Sequence, residues 1–428
     1  MRVVAAREDG SLEVVGGVRP AARSGDRLVE LVADQVVPLP ADATVVHLPG
    51  RRALGVDGDR APVTLPSDLV AAAAVLPVGH LRTLLPASEV TDGAPRLPLF
   101  GYTALAEHNG RLVAAALATD DFAWWQPGRF TASGLPAAVD AARQALPGNR
   151  LVEHLSRCAL EYRCYTAQNT FLRRYEGALP ASPACNADCL GCISLQSDGA
   201  VASPQDRMNF APTAEELASL AAYHLAGDEA AIVSFGQGCE GEPLTRDSVL
   251  AEATATIRER HPKATIHVNT NGSNPRMLRR LVEAGCNSAR ISAISFTEDV
   301  FRAYYRPVGY GLADVLECGR LMSAAGGQVC LNLLTFPGLT DDPQELDRTA
   351  AACAAMGVHQ VQWRSLNVDH DWLRAVLRRR GVRLDQGIGL GRALEHLRTA
   401  LPGVEHGNFT RPAAGPGSRI EAAGPVVR

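Results

Sequence analysis

The stretch Pro183-Ala-Cys-Asn-Ala-Asp-Cys-Leu-Gly-Cys-Ile-Ser194 sets Cys185, Cys189 and Cys192 at Cys-x-x-x-Cys-x-x-Cys spacing. Pro, Asn, Asp and Gly are interleaved with the cysteines, and these residue types favour a turn-rich loop over regular structure. A structural zinc site normally closes with four ligands, and an electron-transfer [4Fe–4S] centre normally takes four cysteines. A compact set of three thiolates therefore implies an iron–sulfur cube with one iron left open to an exchangeable ligand.

Downstream of this loop the chain alternates helix and strand. Thr213 and Glu216 form a capping-box pattern that predicts a helix to about Ala226. Short apolar runs at Ala230 to Phe235, Ala264 to Val268, Ala289 to Ile294, Gln328 to Thr335 and Val358 to Leu366 read as buried strands. Between them the pattern predicts helices over about 244–259, 274–284, 297–305, 312–325 and 343–356, with another at 370–379; Gly285 and Gly357 stand where helix ends need them. With a short strand before the cysteines, this makes about six βα units in parallel order, enough for a partial barrel and short of the eight in a closed one. The fold class expected is α/β: a partial (βα)6 barrel over 181–385, preceded by a β-rich domain (1–145) and a helical connector (146–180). Residues 386–428 form a short extension with one amphipathic helix through Leu401 and a tail expected to be disordered beyond Pro412.

The cysteine loop resembles the signature of the radical S-adenosylmethionine (radical SAM) superfamily. The resemblance implies that Cys185, Cys189 and Cys192 ligate a [4Fe–4S] cluster and that the amino and carboxylate groups of SAM chelate the open iron. It departs at Gly191, where many members carry an aromatic residue. Further elements resembling the superfamily fall at predicted strand ends, the ligand-binding face of parallel α/β folds. Gly241-Glu242-Pro243 is similar to the element that receives the SAM amine. Thr270-Asn271-Gly272 and Ser292-Ala-Ile-Ser295 are similar to segments that bond the ribose and carboxylate. Asn332, with Phe336-Pro-Gly338, is similar to the segment passing the adenine, and Arg364 ends the sixth strand. The expected cofactor contacts are thus Gly241, Glu242, Asn271, Ser292, Ser295, Asn332 and Arg364. Arg306 suits either a bound anion or solvent.

Seven cysteines lie outside the triad. Cys286, Cys318, Cys330 and Cys353 share no spacing and read as buried packing residues. His154 precedes Cys158 by one helical turn, but helical spacing does not bring Cys164 to the same face, so a metal site from these residues is not expected. Cys239 stands inside the expected SAM loop, where a thiol can give a hydrogen atom to a substrate radical; a small buried residue under the loop is the other reading. No cysteine follows Cys353, so the chain does not resemble the peptide-modifying members that carry auxiliary clusters there. Trp124 and Trp125 suit either a stacking wall or domain core. Asp369-His370-Asp371 is expected to cap a helix.

Of the 428 residues 46% are hydrophobic and 21% charged, with net charge −4, a balance that argues against nonspecific nucleic-acid or anionic-membrane binding. No stretch reads as a signal peptide or membrane span, so a cytoplasmic protein is expected. The reading adopted is a radical SAM enzyme with a small-molecule or saccharide substrate and a reductant such as flavodoxin or ferredoxin. Its best-supported outcome is redox-neutral epimerisation in natural product biosynthesis, an isomerase, with Cys239 as catalytic hydrogen donor. The rivals are a peptide- or protein-modifying or glycyl-radical-activating enzyme, and a non-catalytic iron–sulfur sensor.

Overall fold

Seven strands run parallel in one curled sheet, in chain order: Glu176–Ala178, Ile232–Phe235, Thr265–Thr270, Ser288–Ala293, Gln328–Thr335, Gln360–Ser365 and Glu405–Gly407. This computed structural model describes residues 1–7, 9–120, 133–228 and 231–413. Trp124, Trp125 and the tail beyond residue 413 lie outside the described residues. The first six strands are the expected ones, including the short strand before the cysteines, and a seventh is added at the carboxyl end. The sheet begins within the stretch read as connector, and its last strand comes from the segment read as a helical extension, pairing Glu405–Gly407 with Gln360–Gln362. Three polar residues carry neither an apolar run nor a measurable alternation, so sequence periodicity could not reveal that strand.

The strands are covered on both faces, yet they are not uniformly apolar. Val233, Phe235, Ile266, Val268, Ile291 and Leu333 belong to one hydrophobic core with the surrounding helices. The alternate positions, pointing to the opposite face, are polar and bonded to one another across strands. Asn269 Nδ2 donates to Ser234 Oγ (2.8 Å) and to the Phe235 carbonyl (2.9 Å). These donations fix the amide orientation, so Asn269 Oδ1 accepts from His267 Nε2–H at 3.1 Å. The other ring nitrogen meets Ser288 Oγ at 2.7 Å. Asn332 Nδ2 donates to Ser292 Oγ, and Arg290 Nη1 donates to Gln362 Oε1 and Thr410 Oγ1. The concave face is therefore a hydrogen-bonded polar lining.

The amino-terminal region to Ala118 is built of short, mainly antiparallel strands around the long strand Thr44–Val56, which shifts register between His47 and Arg52. Two buried arginines fasten it to the half-barrel. Arg82 donates to the carbonyls of Tyr102, Thr335 and Leu366. Arg51 pairs with Asp369 at 2.6 Å, both nearly inaccessible. Asp369 also caps the helix His370–Arg379 through the N–H groups of Asp371 and Trp372. Its carboxylate is thereby fully used, as expected of a helix cap. Between the two regions lie the connector helices Leu135–Ala145, Arg150–Leu160 and Tyr165–Leu172. Among the described residues no helix is long and apolar enough to cross a membrane.

His267 yields a pH prediction. Burial pushes its imidazole down to about 4, so the folded state holds the neutral ring. Its contribution is fully present above about pH 6.5, the unfolded value, and is lost as pH falls toward 4. Between pH 7 and pH 5 the wild-type chain is expected to lose about 2 kcal/mol more stability than His267→Gln, by urea unfolding of metal-free protein. Parallel pH profiles for the two chains would contradict this.

Candidate functional site

A cavity of about 740 Å³ opens at the carboxyl ends of the parallel strands. Its rim carries Cys185, Cys189 and Cys192, and its floor reaches the polar lining at Glu176, Arg290 and Arg364. Val75 to Val78 and His80 of the amino-terminal region, with Tyr162, Cys164, Tyr165 and Thr166 of the connector, wall it opposite the barrel.

Glu240 holds the rim together. Its Oε2 accepts the N–H groups of Ala181 and Ser182, and its Oε1 accepts those of Gly236 and Gln237. One carboxylate thus joins the segment entering the cysteine loop to the loop leaving the second strand. Burial pushes its carboxyl up to about 7, against four N–H donors that favour the charged form. The two loops also meet backbone to backbone. Gly241 N–H donates to the Ser182 carbonyl and Glu242 N–H to that of Ala184. A β-carbon on Gly241 would lie 1.9 Å from the Ala184 oxygen, so only glycine permits this approach.

Glu242 is 4% exposed yet lines the cavity. Its Oε1 accepts from Thr270 Oγ at 2.6 Å and Leu244 N–H, and its Oε2 from Asn271 N–H. Burial pushes this carboxyl up to about 7 as well. Asn271 Nδ2 donates to Asn186 Oδ1 within the cysteine loop. The aromatic residue absent at Gly191 has a spatial counterpart in Tyr304, whose hydroxyl would lie 2.7 Å from a Gly191 β-carbon. Arg207 donates to Cys192 Sγ at 3.3 Å and to Ser194 Oγ. Neither Tyr304 nor Arg207 belongs to a motif, and no local signal in the sequence points to them.

Most residues expected at the site converge on this cavity. Gly241, Glu242, Asn271, Ser292, Asn332 and Arg364 all line it. Ser295 does not. It is fully buried, and its hydroxyl accepts the Thr297 N–H in a local turn, because the chain bends away from the rim after Ala293. Arg306 pairs with Asp188 in solvent at 3.0 Å. Cys239, expected to face substrate, is 3% exposed and does not line the cavity. Its thiol lies with Cys158 and His154 under the loop, and a shared hydrogen bond lowers the Cys158 pKa while raising that of Cys239. Cys164, at the start of a connector helix, does line the cavity.

The cysteine triad fits a cluster better than a single ion. A tetrahedral metal with bonds near 2.3 Å holds its sulfurs within about 4 Å of one another. Among the described residues, two groups bring their donor atoms within 4.8 Å, and the triad is not one of them. Three thiols on one rim at wider separation suit a polynuclear centre. Burial raises both Cys185 and Cys189, helped by Glu242 at the first and by the neighbouring thiols at the second, a cost that bound iron would remove.

A curled parallel sheet with such a triad at its rim defines a partial-barrel iron–sulfur protein. Residues 179–350 match the profile of the radical SAM superfamily, and this segment is a radical SAM domain. The cofactors of that superfamily are a [4Fe–4S] cluster and SAM. Among solved structures, the chain is similar to HydG, a maturase of the [FeFe]-hydrogenase, at 14% identity, 64% of this chain, 63% of that one and TM-score 0.37. It is also similar to a radical SAM methyltransferase from Sphaerobacter thermophilus (16% identity, 49% and 64%, TM-score 0.34). A third is Streptococcus suis SuiB bound to S-adenosylmethionine (11% identity, 63% and 63%, TM-score 0.38). The chain thus spans less than two thirds of the length of the first two. No curated protein matches the sequence.

The Glu240 joint makes a stability prediction. Glu240→Ala leaves four buried N–H groups without their acceptor and is expected to cost roughly 4 kcal/mol or more, with Glu240→Gln intermediate. Urea unfolding of metal-free protein measures it, and a loss below about 1 kcal/mol for the alanine variant would remove Glu240 from this role.

Proposed function

We propose that the chain is a radical SAM enzyme that takes a hydrogen atom from an anionic small molecule bound in the half-barrel. The observation that carries this reading is a single cavity joining the cysteine rim to two guanidinium groups at its floor. Among the described residues neither Arg290 nor Arg364 has a carboxylate within salt-bridge distance, and burial pushes Arg364 down to about 9. Glu176 and Asp120 act on these guanidinium groups only through space, so a substrate carboxylate or phosphate would add the direct bidentate partner they lack. Glu176, near Arg290, offers an acceptor for hydroxyl or amino groups on the same molecule. Burial opposes its ionisation, but Arg290 holds its pKa below the usual carboxylate value.

Cys185, Cys189 and Cys192 would hold the cluster, with Arg207 donating to the Cys192 sulfur. Glu242 would receive the SAM ammonium, and Asn271, Ser292 and Asn332 its remaining polar groups; the Asn332 Oδ1 is buried without a partner. Together the two cofactors supply a carbon-centred radical that abstracts a substrate hydrogen atom. The walls from the connector and the amino-terminal region would shield that step from part of the solvent.

For the outcome we favour epimerisation, with Cys164 in the role first expected of Cys239. Its S–H bond would break and a C–H bond form on the substrate carbon, leaving a sulfur radical. One electron from the reductant and one proton from solvent would restore the thiol. Exposure of Cys164 to the cavity supports this reading, and the burial of Cys239 argues against that residue.

Two measurements test the proposal. Glu242→Gln loses a charge-assisted contact and is expected to weaken SAM binding roughly tenfold to a hundredfold, by calorimetry on the reconstituted protein. An unchanged dissociation constant would disqualify Glu242. With an anionic metabolite fraction as substrate source in D2O, product from the wild type should carry one carbon-bound deuterium, whereas Cys164→Ala should consume SAM without that product. Deuterated product at the wild-type level from the variant would reject the thiol donor.

A further inference from the structure

Apart from the cysteine rim, the structure gathers three soft donors where sequence spacing did not predict a site. His154 and Cys158 stand one turn apart on the helix Arg150–Leu160, so their side chains share a face. Cys239 reaches that face from the loop after the second strand. The three donor atoms lie within 4.8 Å of one another, and Cys158 Sγ is 3.9 Å from His154 Nε2. Both thiols are buried, at 1% and 3% exposure, while His154 is half-buried. These separations are close to those around a tetrahedral ion with bonds of about 2.0 to 2.3 Å.

We propose that His154, Cys158 and Cys239 form a zinc site that clamps the connector helix to the loop carrying Glu240 and Glu242. Two thiolates and an imidazole suit zinc by ligand softness, and three protein ligands leave the fourth position for water. Binding displaces one proton from each thiol and changes no oxidation state, so no electron donor or acceptor is required. The site is distinct from the cluster triad, whose sulfurs are too widely spaced for one ion. It also accounts for the orientation of Cys239. Its position next to Glu240 makes the metal a second fastening for the loop that the Glu240 carboxylate already holds.

The test is the metal content of the full chain, purified without oxygen and loaded with iron, sulfide and Zn2+. About one zinc per chain should remain after dialysis, beside the cluster iron. X-ray absorption at the zinc edge of the wild type should show two sulfur ligands with nitrogen and oxygen completing the shell. Cys158→Ser and Cys239→Ser should each lose the zinc while retaining the iron. Three results would overturn the proposal: no retained zinc in the wild type, a zinc shell without sulfur, or variants that keep their zinc. A wild-type mass two hydrogens low without oxygen exposure, mapped to a Cys158–Cys239 disulfide, would also overturn it. The wild-type absorption spectrum does not depend on how the variants fold, and none of these readouts depends on turnover.

Discussion

The carboxylate of Glu240 is the contact on which the rim of the half-barrel depends. Four backbone N–H groups from two separate loops converge on its two oxygens in a site closed to water. Each loop alone would be an irregular segment with unsatisfied donors, and such groups are costly to bury. Joined through one charge, they bring Gly241 against Ala184 and set Glu242 beside the cysteine loop. Thr270 and Asn271 then close on Glu242 from the next strand. The rim is thus a chain of carboxylate-to-backbone bonds running from the cysteines to the third strand.

Below that rim the sheet is unusual in being polar on its concave side. A parallel sheet covered on both faces would ordinarily be apolar throughout. Here Ser234, His267, Asn269 and Ser288 occupy alternate positions and bond to one another, while Arg290 bonds to Gln362 and Thr410. Such a lining costs stability unless nearly every group is partnered. The exceptions are informative, because Asn332 Oδ1 and Arg290 Nε are buried without a partner. Both belong to residues lining the cavity, where a bound molecule would complete their bonding.

Much of this was legible from residue order. The parallel alternation of helix and strand could be read because most strands carry apolar positions in a short run and several helices carry their own cap, as with Thr213, Asn274 and Asp342. Gly241, Glu242 and Asn271 could be placed because they stand in the loops that leave strand ends. Ser295 was misplaced because the distance along the chain from a strand end says nothing about where the backbone turns. Tyr304, Arg207 and Glu240 escaped notice because each acts on residues remote in sequence. The last strand escaped because three polar residues have no periodicity to detect.

The cysteine spacing by itself determined the kind of centre this chain can hold, since three thiolates in a turn-rich loop carry their ligand count in the sequence. The sequence downstream also determined the parallel order of the units that follow, because local hydrophobic patterning is a property of neighbours. Only the tertiary structure decided which way the other thiols face. Cys239 lies in the right loop for substrate but turns beneath it toward His154 and Cys158, while Cys164, from the connector, reaches the cavity. Side-chain direction at an irregular loop depends on what packs against it, and here the packing comes from a helix about eighty residues earlier.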